Sequence, residues 1–296
     1  MTEVGPRDGL QSADAIISTA AKVQLVNALS ATGLPRIEAT SFVHPKLVPS
    51  MADAEDVMRN IQRSPGVTYM ALVPNLRGAE RALQAGADEL NVVLSTTETM
   101  NQRNLNMTVA DSIRVFGEIT RFAAADGIPV EAGLSVVFGC PYEGVVLPGQ
   151  VLDLVQRLID VGAHEILFAD TIGAANPRQV FGLMTTVREK WPHLVVGLHF
   201  HDTRGLGLAN VLAGLEAGID RFDASIAGIG ACPFAPGATG NICTEDTVYM
   251  LEAMGVSTGV DQAALIDAAA MVPPLVGQEV PSRRLRWTAR TVAATG

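Results

Sequence analysis

The sequence predicts an α/β fold, a (β/α)8 TIM barrel, and two regularities support this prediction. A short apolar run rich in β-branched residues is followed by a polar loop and a longer amphipathic segment, and this unit recurs along the chain. The amphipathic segments end at glycines, as many helices do. Such an alternation indicates a parallel sheet that is covered by helices.

Eight segments have the composition of strands, and the first of them is very short. They comprise residues 2–4, 36–40, 67–73, 89–94, 130–137, 165–169, 195–201 and 221–226. A strand that begins almost at Met1 closes a barrel poorly. We therefore expect a short or truncated first strand, which neighbouring segments cover or whose natural start lies upstream. Eight strand–helix units in 296 residues are typical of a TIM barrel.

Amphipathic segments with a helical period lie between and after these strands. We predict helices over residues 15–30, 53–62, 77–84, 111–125, 150–159, 177–189, 206–216 and 245–254. Helix starts are marked at Thr108, which has capping-box spacing to Asp111, and at Asn176, which precedes a proline. A doubly wound open sheet is the alternative. It is disfavoured because the sequence has neither a glycine-rich dinucleotide motif after the first strand nor a phosphate-loop lysine motif.

The composition predicts one enzyme-sized domain. Hydrophobic residues make up 48% of the chain and charged residues 18%, so the chain can bury a large core. We predict a single domain over residues 1–296, in which residues 256–296 form a C-terminal helical extension. The net charge of -10 disfavours sequence-independent binding to nucleic acid or to an anionic membrane. Three cysteines, without a secretory leader or an apolar run of membrane length, predict a soluble protein of the cytoplasm.

Two histidines one residue apart mark the end of the seventh predicted strand. His199 and His201 share one face of that strand because side chains alternate. Two imidazoles that converge in this way form half of a metal site. The alternative is one core histidine and one surface histidine, but the carboxylates, amide and thiol that follow other strands favour the metal site. Asp202 faces away from both histidines and is predicted to cap a helix or to support the ligands.

Polar side chains accumulate at the strand ends, where a TIM barrel builds its active site. The residues at or beyond these ends, all but Pro74 polar or ionisable, are Arg7, Asp8, Glu38, Ser41, Pro74, Asn75, Glu131, Ser135, Asp170, Thr171, His199, His201, Cys232 and Asn241. Nitrogen and oxygen ligands are offered by Asp8, His199, His201 and Asn241. Such ligands suit Mg²⁺ or Mn²⁺, with Zn²⁺ or Co²⁺ as competitors. Arg7 is placed to neutralise an oxyanion near the metal, and a salt bridge to Asp8 or Glu38 is compatible with that role.

Six motifs carry a family resemblance. They are EVGPRDGLQ at 3–11, ATSFV at 39–43, GCPYEG at 139–144, DTIG at 170–173, HFHDT at 199–203 and GIGACPFAPGATGNICTED at 228–246. Together they cover nearly the whole chain in order and resemble the 3-hydroxy-3-methylglutaryl-CoA lyase family. Claisen-type synthases and pyruvate-dependent aldolases resemble the chain in the arginine–aspartate pair and the paired histidines, but the cysteine-containing loop is not expected in them.

The resemblance implies a metal-dependent enzyme that cleaves a 3-hydroxy-3-methylglutaryl thioester to acetyl-CoA and acetoacetate. It also implies an acyl-CoA thioester as the ligand and a homodimer as the assembly. The family's metal ligands fall on Asp8, His199, His201 and Asn241. Its catalytic arginine and cysteine fall on Arg7 and Cys232, and further acidic groups of its site match Glu38 and Asp170. We also expect substrate contacts from Arg7, Gln11, Ser135 and Thr171.

The reaction explains why these residue types are needed. Cleavage beside a tertiary alcohol requires removal of the hydroxyl proton, so that a ketone forms and an acetyl-CoA enolate leaves. The proton acceptor is Asp8, Asp170 or His199, and the sequence does not choose among them. Arg7 would stabilise the enolate oxygen, and Cys232 would protonate the enolate carbon. A loop thiol without a role is the alternative for Cys232, but its glycine-rich flanks favour the catalytic role.

Three positions depart from the family pattern near the expected substrate contacts. Ser12 follows Gln11 where the family has asparagine, His44 stands where a serine is usual, and Arg204 replaces a tyrosine with a charge that can reach an anionic ligand. These departures leave open the same mechanism on another thioester, such as citramalyl-CoA or a longer branched hydroxyacyl-CoA. A metal-binding barrel without lyase activity is the third interpretation. Candidate partners of the CoA phosphates are Lys46, Arg77, Arg103, Arg283, Arg284 and Arg286.

Overall fold

A computed structural model describes residues 1–230 and 240–295, with side chains as far as residue 290, and in this part of the chain eight parallel strands form a closed barrel. The strands are β1 (Thr2–Glu3), β2 (Arg36–Ser41), β3 (Thr68–Leu72), β4 (Glu89–Ser95), β5 (Val130–Ser135), β6 (Glu165–Asp170), β7 (Val195–Phe200) and β8 (Arg221–Ala224). Each strand pairs with the next along the chain, and β1 pairs with β8. The predicted TIM barrel is confirmed.

Helices follow the strands. They are α1 (Thr19–Ser30), α2 (Ala54–Asn60), α3 (Leu76–Gln84), α4 (Glu98–Leu105), α5 (Val109–Ala124), α6 (Pro148–Asp160), α7 (Pro177–Lys190), α8 (Gly207–Glu216), α9 (Thr244–Ala253), α10 (Gln262–Ala270), α11 (Val272–Val276) and α12 (Arg283–Thr295). All eight helices predicted from the sequence are present, and their ends differ by a few residues. None of the described helices combines the length and the apolar character that a membrane span requires.

The side chains of β7 alternate between the outside and the inside of the barrel. Leu198 faces α8, because a Cβ added to Gly214 of that helix would lie 2.4 Å from the Leu198 Cδ1. Successive residues of a strand point to opposite faces, so His199 projects into the barrel. Val196, Leu198 and Phe200 are buried in the apolar layer between strands and helices. The same alternation that builds the core therefore delivers His199 to the interior.

The short first strand is confirmed, and neighbouring segments cover it. Thr2 pairs with β2 and β8 at once, and so does Glu3. The fully buried Glu3 carboxyl group accepts hydrogen bonds from the backbone N–H groups of Gly5 at 2.7 Å and Ile226 at 2.8 Å. A further bond of 2.6 Å joins it to the Thr244 hydroxyl. One side chain thus ties β1 to the segment after β8 and to the start of α9, which stabilises the closure of the barrel.

We expect Glu3→Gln to remove part of the stability loss that accompanies rising pH. Burial raises the pKa of Glu3 to about 8, so the folded state holds a proton that the unfolded state releases near pH 4.3. The stabilisation is complete below the unfolded pKa and is lost as the pH rises towards 8. Glutamine can keep the three bonds, because its oxygen accepts from both N–H groups and its amide donates to Thr244.

Urea unfolding at pH 5 and pH 8 provides the measurement. Between these conditions the parent should lose on the order of 3 kcal/mol more free energy of unfolding than Glu3→Gln. Glu80→Gln, at an exposed position, is the matched control and should behave like the parent. Equal losses in the parent and in Glu3→Gln would contradict the assignment of the proton to Glu3.

Charged side chains fill the N-terminal end of the barrel. Arg36 binds Glu165 at 2.8 Å and Glu131 at 3.4 Å, and it also pairs with Glu89. The expectation that Glu131 lies at the active-site end was wrong. It is the second residue of β5 and is opposite Glu165, the first residue of β6, in the strand register. In a TIM barrel this end contributes stability rather than catalysis.

The C-terminal helix is attached next to the segment that follows β8. Asp246, in the first turn of α9, accepts N–H bonds from Arg283 at 3.0 Å and from Arg284 at 2.8 Å. Its carboxylate therefore satisfies two orphan donors at the start of α12 and interacts favourably with the helix dipole. The division of a single domain into a barrel and an extension from residue 256 stays a prediction.

Candidate metal centre and active site

A turn of π-helix, Gly5–Gly9, presents Arg7 and Asp8 at the end of β1. This pair was predicted to lie at the end of the first strand, residues 2–4, and not in a helical turn. The Asp8 N–H instead donates to the Val4 carbonyl at 2.7 Å. A Cβ on Gly9 would lie 2.4 Å from the Ile229 Cγ1, so a glycine is needed for the turn to approach the segment after β8. Single π-helical turns occur often at functional sites.

Asp8 lies beside the paired histidines. One potential ligand atom from each of Asp8, His199 and His201 falls within 4.8 Å of the others. The two imidazole rings have centroids 5.3 Å apart and are inclined by 43°. Both histidines are buried. Burial alone would raise the pKa of Asp8, but the charges of Arg7 and of the two histidines hold that pKa below its ordinary value.

Asn241 completes the predicted ligand set. Its Nδ2 donates to the Asp8 Oδ2 at 2.7 Å and to the Ile229 carbonyl at 3.0 Å. The Asn241 Oδ1 is buried and has no hydrogen-bond partner within the residues described. A Cβ on Gly230 would lie 2.5 Å from the Asn241 Nδ2, which leaves no room for a side chain there. The orphan oxygen fits a fourth ligand, because a carboxylate, two imidazoles and an amide oxygen suit a divalent cation.

Two carboxylates hold Arg7. Its Nε donates to the Glu38 Oε2 at 2.5 Å, and its Nη1 donates to the Asp8 Oδ1 at 2.7 Å. Glu38 also accepts a 2.9 Å bond from the Asn91 Nδ2. Burial raises the pKa of Glu38, and Arg7 opposes that shift. Both salt bridges considered from the sequence are therefore present, and they fix the guanidinium beside a ligand of the candidate metal site.

The structure adds Asp223, which is not among the site residues predicted from the sequence. The Nδ1 of His199 lies 3.2 Å from the Asp223 Oδ2, and both side chains are buried. Burial alone would lower the pKa of His199, but the hydrogen bond and charge of Asp223, with the charge of Asp8, raise it above its ordinary value. The available signal was the inward-facing position of Asp223 on the eighth predicted strand.

Asp170 and Thr171 bind the backbone of their own rim of the barrel. The Asp170 carboxylate accepts N–H bonds from Ala174 at 2.7 Å and from Ala175 at 3.0 Å. Burial raises the pKa of Asp170, although these two hydrogen bonds act to lower it. The Thr171 hydroxyl accepts the Val136 N–H at 2.8 Å. Asp170 therefore shapes the loop that follows β6, and Thr171 links that loop to the end of β5.

The remaining predicted contact residues are more dispersed. The Ser135 hydroxyl forms a 2.8 Å bond with that of Ser95. The backbone carbonyl of Gln11 accepts a 3.0 Å hydrogen bond from the Ser50 hydroxyl. The buried Oε1 of the Gln11 side chain has no hydrogen-bond partner within the described residues. Cys232 lies outside those residues. The substrate contacts of Gln11, Ser135 and Thr171 and the role of Cys232 stay predictions.

Arg204 and Asp202 stabilise loops at the mouth of the barrel. Arg204 donates to the carbonyls of Ile172 at 2.7 Å and Gly173 at 2.8 Å, so its charge is used within the protein. Asp202 accepts the N–H of Gly207, the first residue of α8, at 2.9 Å. This agrees with its prediction as a helix cap. Neither side chain belongs to the group of ligand atoms described above.

A cavity of about 440 Å³ opens next to this centre. Its wall includes Gly9, which follows Asp8, and Gly230, which contacts Asn241. The segment before α12 and Arg286 also contribute to the wall. The cavity is therefore lined by Gly9 and Gly240, the chain neighbours of the candidate ligands Asp8 and Asn241, and by Arg286 of the C-terminal helix.

The fold and the ligand geometry define a TIM-barrel protein with a candidate site for a divalent cation at the C-terminal ends of its strands. The HMGL-like family model matches residues 1–272, and the chain belongs to this family. The resemblance inferred from the six motifs is thus confirmed.

Named relatives match almost the full chain. The hydroxymethylglutaryl-CoA lyase of Bacillus subtilis is 46% identical over 284 residues, which are 96% of this chain and 95% of that protein. The mitochondrial hydroxymethylglutaryl-CoA lyase of Bos taurus is 41% identical over 290 residues, which are 98% and 89%. The solved structure of an HMG-CoA lyase from Acinetobacter baumannii in complex with coenzyme A and 3-methylmalate has a TM-score of 0.91 at 46% identity, covering 95% of this chain and 92% of that one.

Proposed function

We propose that the protein is a divalent-metal-dependent carbon–carbon lyase that cleaves 3-hydroxy-3-methylglutaryl-CoA to acetyl-CoA and acetoacetate. The convergence of Asp8, His199 and His201 within 4.8 Å carries this proposal. The chain shares 46% identity with a named hydroxymethylglutaryl-CoA lyase over 284 residues. It is a lyase of this family, as its sequence predicted.

The proposed cation is Mg²⁺ or Mn²⁺, held by Asp8, His199, His201 and Asn241. Hard oxygen ligands and imidazoles without a thiolate suit these ions. When bound, the cation supplies Lewis-acid chemistry, which acidifies a substrate hydroxyl and fixes the orientation of the substrate. The buried and unpaired Asn241 Oδ1 within the described residues supports this assignment.

The side chains around the site divide the work of bond cleavage. Asp8, Asp170 or His199 accepts the proton of the substrate hydroxyl, so that the carbon–carbon bond breaks and its electron pair moves into the thioester as an enolate. Arg7 stabilises the enolate oxygen, and Glu38 holds the guanidinium for that role. Cys232 donates the proton that completes acetyl-CoA.

The proposed substrate brings anionic phosphates to a protein with a net charge of -10, so a local cation is required. Arg103 stacks on Tyr142, with its guanidinium 4.4 Å from the ring centroid, and Arg283 lies 3.6 Å from Asp202. Arg286 donates to the carbonyls of Ser282 and Pro281, each at 3.1 Å, but it differs from these two because it lines the cavity beside Gly9. We propose that Arg286 contacts a CoA phosphate.

Arg286→Ala is expected to raise the KM for the thioester about 5-fold with little change in kcat. An exposed ion pair contributes up to about 1 kcal/mol, and 1.4 kcal/mol corresponds to a factor of ten. Steady-state kinetics over a range of ionic strength provides the measurement, since salt should weaken the contact in the parent. Arg290→Ala, at an exposed position on the same helix outside the cavity wall, is the control. Equal KM values for both variants would place the phosphate contact elsewhere.

The activity is tested by acetyl-CoA release from 3-hydroxy-3-methylglutaryl-CoA and from citramalyl-CoA, with Mn²⁺ or Mg²⁺ present. Turnover of the first thioester, abolished in both Asp8→Ala and Cys232→Ala, is the expected result. Turnover of the second thioester alone would keep the mechanism and change the substrate. Failure with both thioesters, although metal is bound, would reject the proposed activity. The homodimer and the location in the cytoplasm remain predictions.

A further inference from the structure

We propose that Asp223 is a positioning residue that sets the tautomer and ring orientation of His199. The carboxylate accepts a hydrogen bond from the protonated Nδ1 of His199, so that the Nε2 lone pair faces the candidate metal site. The inference rests on the proposed metal centre but not on the proposed substrate. Asp223 itself is not one of the three residues, Asp8, His199 and His201, whose potential ligand atoms converge in the described part of the chain.

The strand register brings the two side chains together. His199 on β7 and Asp223 on β8 are Cα partners in the parallel ladder. Partners in register share a face of the sheet, and the face of His199 is the inside of the barrel. The distance from Nδ1 to Oδ2 is 3.2 Å, and the exposed fractions are 8% for His199 and 5% for Asp223. Burial leaves the ring little freedom to choose another partner.

The chemistry of the pair assigns the nitrogens. An ionised carboxylate can only accept a hydrogen bond, so the neutral imidazole must carry its proton on Nδ1. The other nitrogen, Nε2, then keeps a lone pair that can bind a cation. Histidine ligands commonly donate their second ring N–H to a carboxylate in this way, and loss of that partner weakens metal binding by about 10- to 100-fold.

Charges of both signs surround Asp223, and the Arg7 guanidinium and the N-terminal ammonium are the cationic ones. Glu38 and Glu131 are both buried and both feel the negative charge of Asp223. A third carboxylate among them adds repulsion and a desolvation cost. The hydrogen bond to His199 offsets part of that cost. An amide could not fix the tautomer of the ring in the same way, because it can turn either its oxygen or its NH₂ group towards the ring nitrogen.

Asp223→Asn is the informative substitution because it keeps the size of the side chain. Its amide can present Nδ2 to the ring, and this would reverse the tautomer and place a proton on Nε2. It can also present Oδ1, and this keeps the orientation without the charge. We expect Mn²⁺ to bind the metal-free variant about 10- to 100-fold more weakly than the metal-free parent.

Two measurements without substrate test the proposal. Titration calorimetry with Mn²⁺ compares the parent with Asp223→Asn and with Asp220→Asn, an exposed carboxylate just before β8. NMR of ¹⁵N-histidine-labelled, metal-free protein reports the tautomer of each ring, assigned with His199→Gln. The proposal expects a protonated Nδ1 on His199 in the parent, a mixed or reversed tautomer in Asp223→Asn, and parental affinity in Asp220→Asn.

Several outcomes would overturn the assignment. One is a His199 that carries its proton on Nε2 in the metal-free parent, which can be seen even if the variant does not fold. Another is a folded Asp223→Asn with Mn²⁺ affinity within threefold of the parent. A parent that binds no Mn²⁺ would instead reject the metal centre itself, and the tautomer measurement would still decide the role of Asp223.

Discussion

Replacing Arg7 with methionine is expected to lower kcat by about 10²- to 10³-fold, the loss that follows removal of one donor to a developing oxyanion. The guanidinium is fixed by Glu38 at 2.5 Å and by Asp8 at 2.7 Å, so it needs little reorganisation when charge develops. Methionine keeps much of the volume but has no donor. The measurement is kcat for the thioester at saturating Mn²⁺, with the bound metal quantified to exclude its loss as the cause.

Arg7→Met should also destabilise the fold, and this effect must be separated from catalysis. Glu38 has a side chain that is 1% exposed and would lose its counter-charge. Removing one partner of a buried ion pair costs about 3–5 kcal/mol. In the double variant Arg7→Met/Glu38→Gln, the neutral amide oxygen can still accept from Asn91. Compared with Arg7→Met, the double variant should regain stability, but its kcat should stay low. Recovery of kcat would exclude Arg7 as the stabiliser of the enolate.

The barrel was predictable because its signals are local and repeated. The spacing of hydrophobic residues differs between strands and helices, and N-cap residues such as Asn176 mark where a helix begins. The positions of Asp8, His199 and His201 follow from the same pattern, since strand ends of one sheet converge in space. Chemistry then restricts which residue types at these ends can share a cation.

The features that the sequence did not reveal depend on tertiary contacts. The partnership of Asp223 with His199 arises from the register of β7 and β8, which no local pattern specifies. The π-helical turn around Arg7 depends on the close approach of Gly9 to Ile229. Gly9 and Ile229 are 220 residues apart in sequence, and His199 and Asp223 are 24 residues apart.

Two further differences have local causes. Helix α4 was missed because its sequence, ETMNQRNL, has no apolar stripe. Its buried Asn101 instead anchors it, accepting the Ser95 N–H at 2.9 Å and donating to the Ser112 hydroxyl at 2.8 Å. Helix α1 begins at Thr19 rather than at residue 15, because the Ser18 side chain caps it at the Ala21 N–H.

Asp8→Asn is expected to weaken Mn²⁺ binding by at least about 10²-fold and to remove activity at ordinary metal concentrations. Both oxygens of Asp8 accept a bond, Oδ1 from Arg7 at 2.7 Å and Oδ2 from the Asn241 Nδ2 at 2.7 Å. An asparagine has one oxygen, so its own NH₂ group must face one of these two donors. The variant loses a charge beside the cation and also disturbs Arg7 or Asn241.

Calorimetric titration of metal-free protein measures the change in affinity, and acetyl-CoA release at rising Mn²⁺ concentration shows whether excess metal restores turnover. Asp14→Asn, an exposed carboxylate in the loop that follows the π-helical turn, is the matched control and should titrate like the parent. If Asp8 serves mainly as a ligand, excess Mn²⁺ will restore part of kcat; if it is also the proton acceptor, kcat will stay low with the site saturated. Parental affinity in Asp8→Asn would contradict the ligand role, because a carboxylate whose loss leaves the affinity unchanged cannot belong to the ligand set.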